Sequence, residues 1–156
     1  MGTPNFEGMA GAMAAIDYIA SVGRRFGELP GGGRRRTEIV AGMTAIRRYE
    51  KALAERLDAG LKSIRGVRIY GITDPARFDE RMPVVSFTLE EHAPADVARR
   101  LGEDAIFAWD GDFYAVHVIE RLGLAATGGL VRIGINHYNT ADEVDRLLTA
   151  IGDIAA

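Results

Sequence analysis

Gly128-Gly129-Leu130-Val131-Arg132-Ile133-Gly134-Ile135-Asn136-His137-Tyr138-Asn139-Thr140-Ala141-Asp142-Glu143-Val144 changes its periodicity halfway along. Leu130 to Ile135 is an apolar, β-branched run with one arginine inside it, which predicts a strand after the Gly128-Gly129 turn. Thr140-Ala141-Asp142-Glu143 then has the form of a capping box, and Val144, Leu147, Leu148 and Ile151 recur at helical spacing. A short strand that runs through a polar turn into a capped amphipathic helix is a unit of an α+β fold, in which helices cover one face of a sheet.

Working back from this unit, the pattern repeats. Val67 to Tyr70, Val84 to Leu89 and Ile106 to Trp109 predict three further strands. Pro94 to Leu101 and Tyr114 to Leu122 predict short helices, and Thr73-Asp74-Pro75 starts a loop. The first third is different. Phe6, Met9, Met13, Ile16 and Ile19 form one helical face, with Thr3 or Asn5 as cap and an end near Val22-Gly23. Residues 23 to 36 predict a loop, because three glycines follow Pro30. A long second helix carries Ile39, Val40, Met43, Ile46, Tyr49, Leu53, Leu57, Leu61 and Ile64 in one stripe and stops at Gly66. The expected fold is α+β: a two-layer sandwich with a small, mostly antiparallel four-stranded sheet, helices on one face, and two long helices in front. Those two stripes pack either on the sheet or on something outside this chain.

The 156 residues suffice for one domain, with 47% hydrophobic and 26% charged residues. No run approaches the roughly 20 apolar residues of a membrane helix, and Met1 to Met9 lack the features of a secretory signal, so a cytoplasmic protein is expected. A net charge of −3 argues against a nucleic-acid partner. There is no cysteine, which rules out disulfides, thiolate metal sites and a cysteine nucleophile. Only Lys51 and Lys62 are lysines; every other Lys or Arg position is arginine.

Arg132 is the first candidate site residue. In an apolar strand it either points inward, where it calls for a carboxylate or phosphate held bidentately, or lies on the solvent face of an edge strand. His92, His117 and His137 have no metal-ligand spacing. Asp110-Gly111-Asp112 suits a turn better than a metal or acid–base pair. Gly31-Gly32-Gly33-Arg34-Arg35-Arg36 could touch phosphates, but a solvated loop explains it as well.

Two segments together go further. Gly2-Thr3-Pro4-Asn5 before a small-residue helix, and Arg132 followed by Tyr138-Asn139-Thr140 and Glu143-Val144, resemble two motifs of the class V aminotransferases and cysteine desulfurases. They are spaced like the ends of that family's C-terminal small domain, so the resemblance covers nearly the whole chain. It implies a pyridoxal-phosphate enzyme, dimeric and acting on an amino-acid substrate. By the same resemblance Thr3 reaches the cofactor phosphate of a neighbouring subunit, and Arg132 binds the substrate α-carboxylate. Asn139 and Thr140 fix a turn and cap a helix. The cofactor-anchoring lysine of the family lies upstream of the Gly-Thr-Pro-Asn segment, so the chain resembles a fragment that does not work alone, with residues 1–36 as the helix and loop that join the large domain. Where the desulfurases carry a mobile cysteine, this sequence has Asp110-Gly111-Asp112-Phe113-Tyr114-Ala115, with Tyr114 near that position. A phenol cannot form a persulfide, so the resemblance points toward lyase, transaminase or epimerase chemistry. The alternative is a freestanding α+β binding module, which would bury the whole 39–64 stripe internally.

Overall fold

The computed structural model describes residues 2–29 and 34–156. The backbone falls into two compact units, Met1–Tyr49 and Glu50–Ala156.

In the first unit α1 runs over Phe6–Phe26 and is followed by the start of α2, Arg35–Ser63. Asn5 is the cap of α1: its side-chain oxygen accepts a hydrogen bond from the Gly8 N–H at 2.8 Å. Thr3 therefore lies outside the helix, which settles the choice between the two caps. Gly23 does not stop α1 as expected. It is buried inside the helix, and a Cβ there would lie 1.8 Å from the Glu38 carbonyl oxygen of α2. Gly42 answers it from α2, where a Cβ would lie 2.2 Å from the Ile19 carbonyl oxygen. The two glycines let the helix backbones approach at the crossing. Arg24–Glu38 and Arg35–Asp17 ion pairs, both 2.5 Å, flank it. The loop predicted over 23–36 is thus helical up to Phe26 and again from Arg35, while Pro30 and Gly31 to Gly33 of the glycine–arginine segment lie outside the described residues.

The second unit is the expected α+β sandwich. Its strands are β1 (Val67–Tyr70), β2 (Val84–Leu89), β3 (Trp109–Gly111) and β4 (Leu130–Gly134). They form one sheet in the order β1-β2-β4-β3, antiparallel at every pairing. Val85 faces Ile133 and Phe87 faces Val131, which puts all four on one side. That side is covered by the second half of α2 through Leu53, Leu57 and Leu61, by α3 (Pro94–Glu103) through Val97 and Leu101, and by α5 (Ala141–Ala155) through Val144, Leu147, Ile151 and Ile154. Each fully buried Leu or Phe is worth about 1.5–3 kcal/mol of transfer free energy, so this layer dominates the stability of the unit.

Three boundaries differ from expectation. β3 begins at Trp109 rather than Ile106: its ladder with β4 runs from Trp109–Arg132 to Gly111–Leu130, while Ile106 and Ala108 pack against the core without joining that ladder. α4 is shorter than predicted, Val116–Arg121. Pro75–Glu80 closes into a 3-10 turn that buries Phe78.

The glycine crossing gives a sign test. Gly42→Ala should lose about 1–3 kcal/mol through overpacking, against the usual helix gain of roughly 1 kcal/mol. Gly11→Ala, whose added methyl would meet nothing within 4 Å, should gain about 0.5–1 kcal/mol. Urea unfolding followed by circular dichroism measures both; equal gains would mean that the helices do not touch there.

Candidate functional site

β4 holds the site. Period-two alternation sends Val131 and Ile133 into the core and Arg132 and Gly134 to the opposite, open face of the sheet. β4 is an interior strand with β2 and β3 on either side, so Arg132 is neither buried in the core nor on an edge strand. It stands in the middle of an open sheet face, with Ser86 and Trp109 as cross-strand partners. Among the described residues its side chain has no hydrogen bond and no ion pair. The guanidinium lies over the Phe113 ring instead, 4.2 Å from its centroid. Such stacking is worth about 0.5–1 kcal/mol at an exposed position. That biases the arginine's orientation while leaving its fork of N–H donors available to a carboxylate.

Phe113 owes its place to a strained turn. Phe113 and Tyr114 have φ of 55° and 60°, both left-handed, where L-residues are disfavoured by roughly 1–2 kcal/mol each. Asp112 offsets this: its side chain accepts from the Tyr114 N–H at 2.9 Å and its carbonyl from the Ala115 N–H at 2.8 Å. Asp112 thus does turn chemistry, as its sequence context suggested. Tyr114 itself is fully exposed.

The open face also holds a shallow depression of about 340 Å³ lined by Val84, Phe107, Ala108, Trp109, Arg132 and Gly134. Phe107 is 91% exposed, Trp109 66% and Val84 42%. The sequence did not single out any of these apolar residues as site residues; only the aromatic pair Phe107 and Trp109 in a single predicted strand hinted at them.

Beyond β4 the polar turn is a closed network. The Asn136 N–H donates to Asn139 Oδ1 at 2.9 Å, and the Asn136 amide donates to the Tyr138 hydroxyl at 2.9 Å. Thr140 caps α5 by accepting from the Glu143 N–H at 3.2 Å, while the Thr140 N–H donates to Glu143 Oε2 at 2.7 Å. Asn139 and Thr140 are structural, as the resemblance implied.

The remaining candidates sit elsewhere. Thr3 is exposed just before the Asn5 cap and belongs to the first unit, while Arg132 belongs to the second. His137 lies 3.5 Å from Glu50, His117 lies 3.2 Å from Glu120, and His92 contacts the Glu90 carbonyl oxygen. No cluster of potential metal ligands occurs among the described residues. Lys51 is paired with Asp79 at 2.9 Å, and Lys62 with Asp58 at 2.7 Å and the Thr73 carbonyl at 2.6 Å. No helix among the described residues is long and apolar enough to cross a membrane.

The sequence profile of the class-V aminotransferases matches residues 37–147. The chain belongs to this family. Among curated proteins, this class-V chain is 32% identical over 155 residues to a probable cysteine desulfurase of Methanothermobacter thermautotrophicus, a match covering 99% of the chain and 33% of that protein. It is 29% identical over 150 residues to the cysteine desulfurase of Pectobacterium carotovorum subsp. carotovorum, covering 96% of the chain and 30% of that protein. Among solved structures, the apo cysteine desulfurase from Thermococcus onnurineus NA1 superposes with a TM-score of 0.68 at 29% identity, over 78% of this chain and 28% of that one. The chain therefore spans about a third of the length of the relatives it matches. The α+β fold with a small antiparallel sheet is that of these cysteine desulfurase-like proteins.

The turn leading into α5 makes a pH prediction. The Glu143 carboxyl is held below the usual glutamate range, first by the Thr140 N–H and then by the Asn139 amide, against a smaller effect of burial. A lowered folded pKa means that the unfolded chain takes up a proton first as pH falls. The stabilisation is complete above the unfolded value, about 4.3, and is lost as pH drops through the folded one. Glu143→Gln keeps the cap at neutral pH and should flatten the acid limb of the stability curve in urea titrations. An unchanged acid limb would place the titrating group elsewhere.

Proposed function

We propose that this chain is the C-terminal small domain of a pyridoxal-phosphate enzyme of the class V aminotransferase and cysteine desulfurase-like group, acting on an amino acid and inactive by itself. Residues 1–36 form the helix and loop that meet the large domain, and the assembled enzyme is a cytoplasmic homodimer. Arg132 binds the substrate α-carboxylate, and Thr3, before the N-terminus of α1, contacts the cofactor phosphate.

The observation that carries this is Arg132 itself. An arginine in the middle of a sheet, oriented by Phe113 yet lacking any carboxylate among the described residues, is a carboxylate site with one half supplied. The apolar face of α1 supports the larger assembly: Phe6, Met9, Met13 and Ile16 are exposed on one side of the helix. The 39–64 stripe is divided in the same way, with Leu53, Leu57 and Leu61 in the core and Val40 and Met43 exposed. A freestanding module would have buried both stripes.

The residues present fit only part of the cofactor. When bound, pyridoxal phosphate acts as an electron sink for bonds at the substrate α-carbon. Its covalent anchor must be an amine, and the two half-exposed lysines of this chain lie in ion pairs, Lys51 with Asp79 and Lys62 with Asp58. The contribution of this chain is to bind and orient, with Arg132 fixing the α-carboxylate. No thiol is available for sulfur transfer, since the sequence has no cysteine.

Titrating the purified chain with pyridoxal phosphate, followed by borohydride reduction and peptide mapping, tests this. No saturable absorption band is expected, only slow labelling spread over Lys51, Lys62 and the N-terminus. A saturable adduct on one lysine, lost in Thr3→Ala or Arg132→Met, would mean that the chain builds a complete cofactor site.

A further inference from the structure

We infer that the depression over Gly134 is a side-chain subsite for a bulky apolar ligand, an aromatic or branched aliphatic amino acid whose carboxylate is held by Arg132. The inference rests on Arg132 as the carboxylate-binding residue and adds the chemical class of what is attached to that carboxylate.

The arrangement follows from the register of the sheet. Arg132 and Gly134 are successive residues on the open face of β4. Val84 of β2 stands opposite Gly134, and Trp109 of β3 stands opposite Arg132. The floor is therefore a glycine, with Val84 on one flank, Trp109 and Phe107 on the other, and the guanidinium at one end. Arg132 is drawn by Phe113, which follows β3, toward the end of the sheet away from Gly134. A Cβ on Gly134 would meet nothing within 4 Å, so the floor is open space and is not kept bare by a close backbone approach.

The chemistry of the walls selects the ligand. Arg132 and the Trp109 indole N–H carry the only polar side-chain atoms of the lining. Among the described residues of the lining, no side-chain carboxylate, amide or hydroxyl is present to receive a polar side chain. At about 340 Å³ the depression falls at the lower end of the range of small-ligand pockets, roughly 300–1,000 Å³. A small side chain such as that of alanine or cysteine would leave most of the apolar wall wet. An aromatic or leucine-like side chain would cover Phe107, Trp109 and Val84, each of which exposes a large apolar area.

Trp109 is the single tryptophan of the sequence, so its fluorescence reports the subsite directly. The chain is titrated with L-phenylalanine, L-leucine, 3-phenylpropanoate, L-alanine and L-cysteine. Saturable shifts of Trp109 emission are expected, with phenylalanine and leucine binding at least about tenfold more tightly than alanine or cysteine. Arg132→Met should weaken every ligand by about tenfold. Arg132→Lys, which keeps the charge and the strand position, should retain part of the binding and so separates lost recognition from lost folding. Gly134→Val fills the floor without touching Arg132. It should weaken phenylalanine about tenfold and leave alanine within about twofold.

If alanine and cysteine bind as tightly as phenylalanine and still depend on Arg132, the apolar subsite is overturned and the carboxylate role of Arg132 stands. If Gly134→Val leaves phenylalanine binding unchanged, the subsite is likewise overturned. Binding that ignores Arg132→Met, or no saturable response to any carboxylate, overturns the Arg132 role and the subsite together.

Discussion

The pairing of β4 on both of its sides is the constraint on which the second unit depends. Phe87 opposite Val131 and Val85 opposite Ile133 join β2 and β4 by inward pairs, and β3 adds its ladder on the other edge. Because side chains alternate, the same register that buries Val131 and Ile133 presents Arg132 and Gly134 on the open face. A slip of one residue would put a guanidinium in the core and two branched apolar residues in water. Core packing thus sets the position of Arg132 with no interaction dedicated to that end.

What surrounds Arg132 is held by local chemistry. The β3–α4 turn accepts two left-handed aromatic residues in succession, and Asp112 holds it closed through backbone donors. The result is a flat apolar surface under the guanidinium where an ion-pair partner would otherwise be expected. On the far side, the Asn136–Glu143 network anchors the end of β4 to the start of α5. Rigid elements before and after the arginine leave only its own rotamer to settle, and Phe113 biases that. In the proposed carboxylate role, an arginine held in this way would lose little entropy on binding.

The first unit follows a different logic. Its helices meet through Gly23 and Gly42, so backbone approach replaces large interdigitating side chains at the crossing. The large apolar residues of α1, Phe6, Met9 and Met13, are left exposed. In the proposed assembly this face meets the rest of a larger enzyme. The division of labour is then consistent across the chain: lysines engaged in ion pairs, no cysteine, an available arginine on a sheet, and an apolar helix face. In the proposed assembly these are the features of a domain that binds and orients.

The amino-acid sequence by itself determined the element types wherever periodicity was strong. β1, β2 and β4, the capping box at Thr140, the stripe of α2 and the α+β class were all legible, because alternation and helical spacing are local properties of side-chain direction. The family resemblance was legible too, as were the structural roles of Asn139 and Thr140. Only the tertiary structure decided the rest. Gly23 read as a helix stop, since glycine's local preference says nothing of a neighbouring backbone that needs the space. β3 read too early, since Ile106 has strand propensity but no strand opposite it. Arg132 could be assigned to core or solvent but not to the open face of an interior strand, because strand order is a long-range property. The depression joins Val84 of β2 to Phe107 and Trp109 across β4, and no local pattern relates Val84 to that aromatic pair.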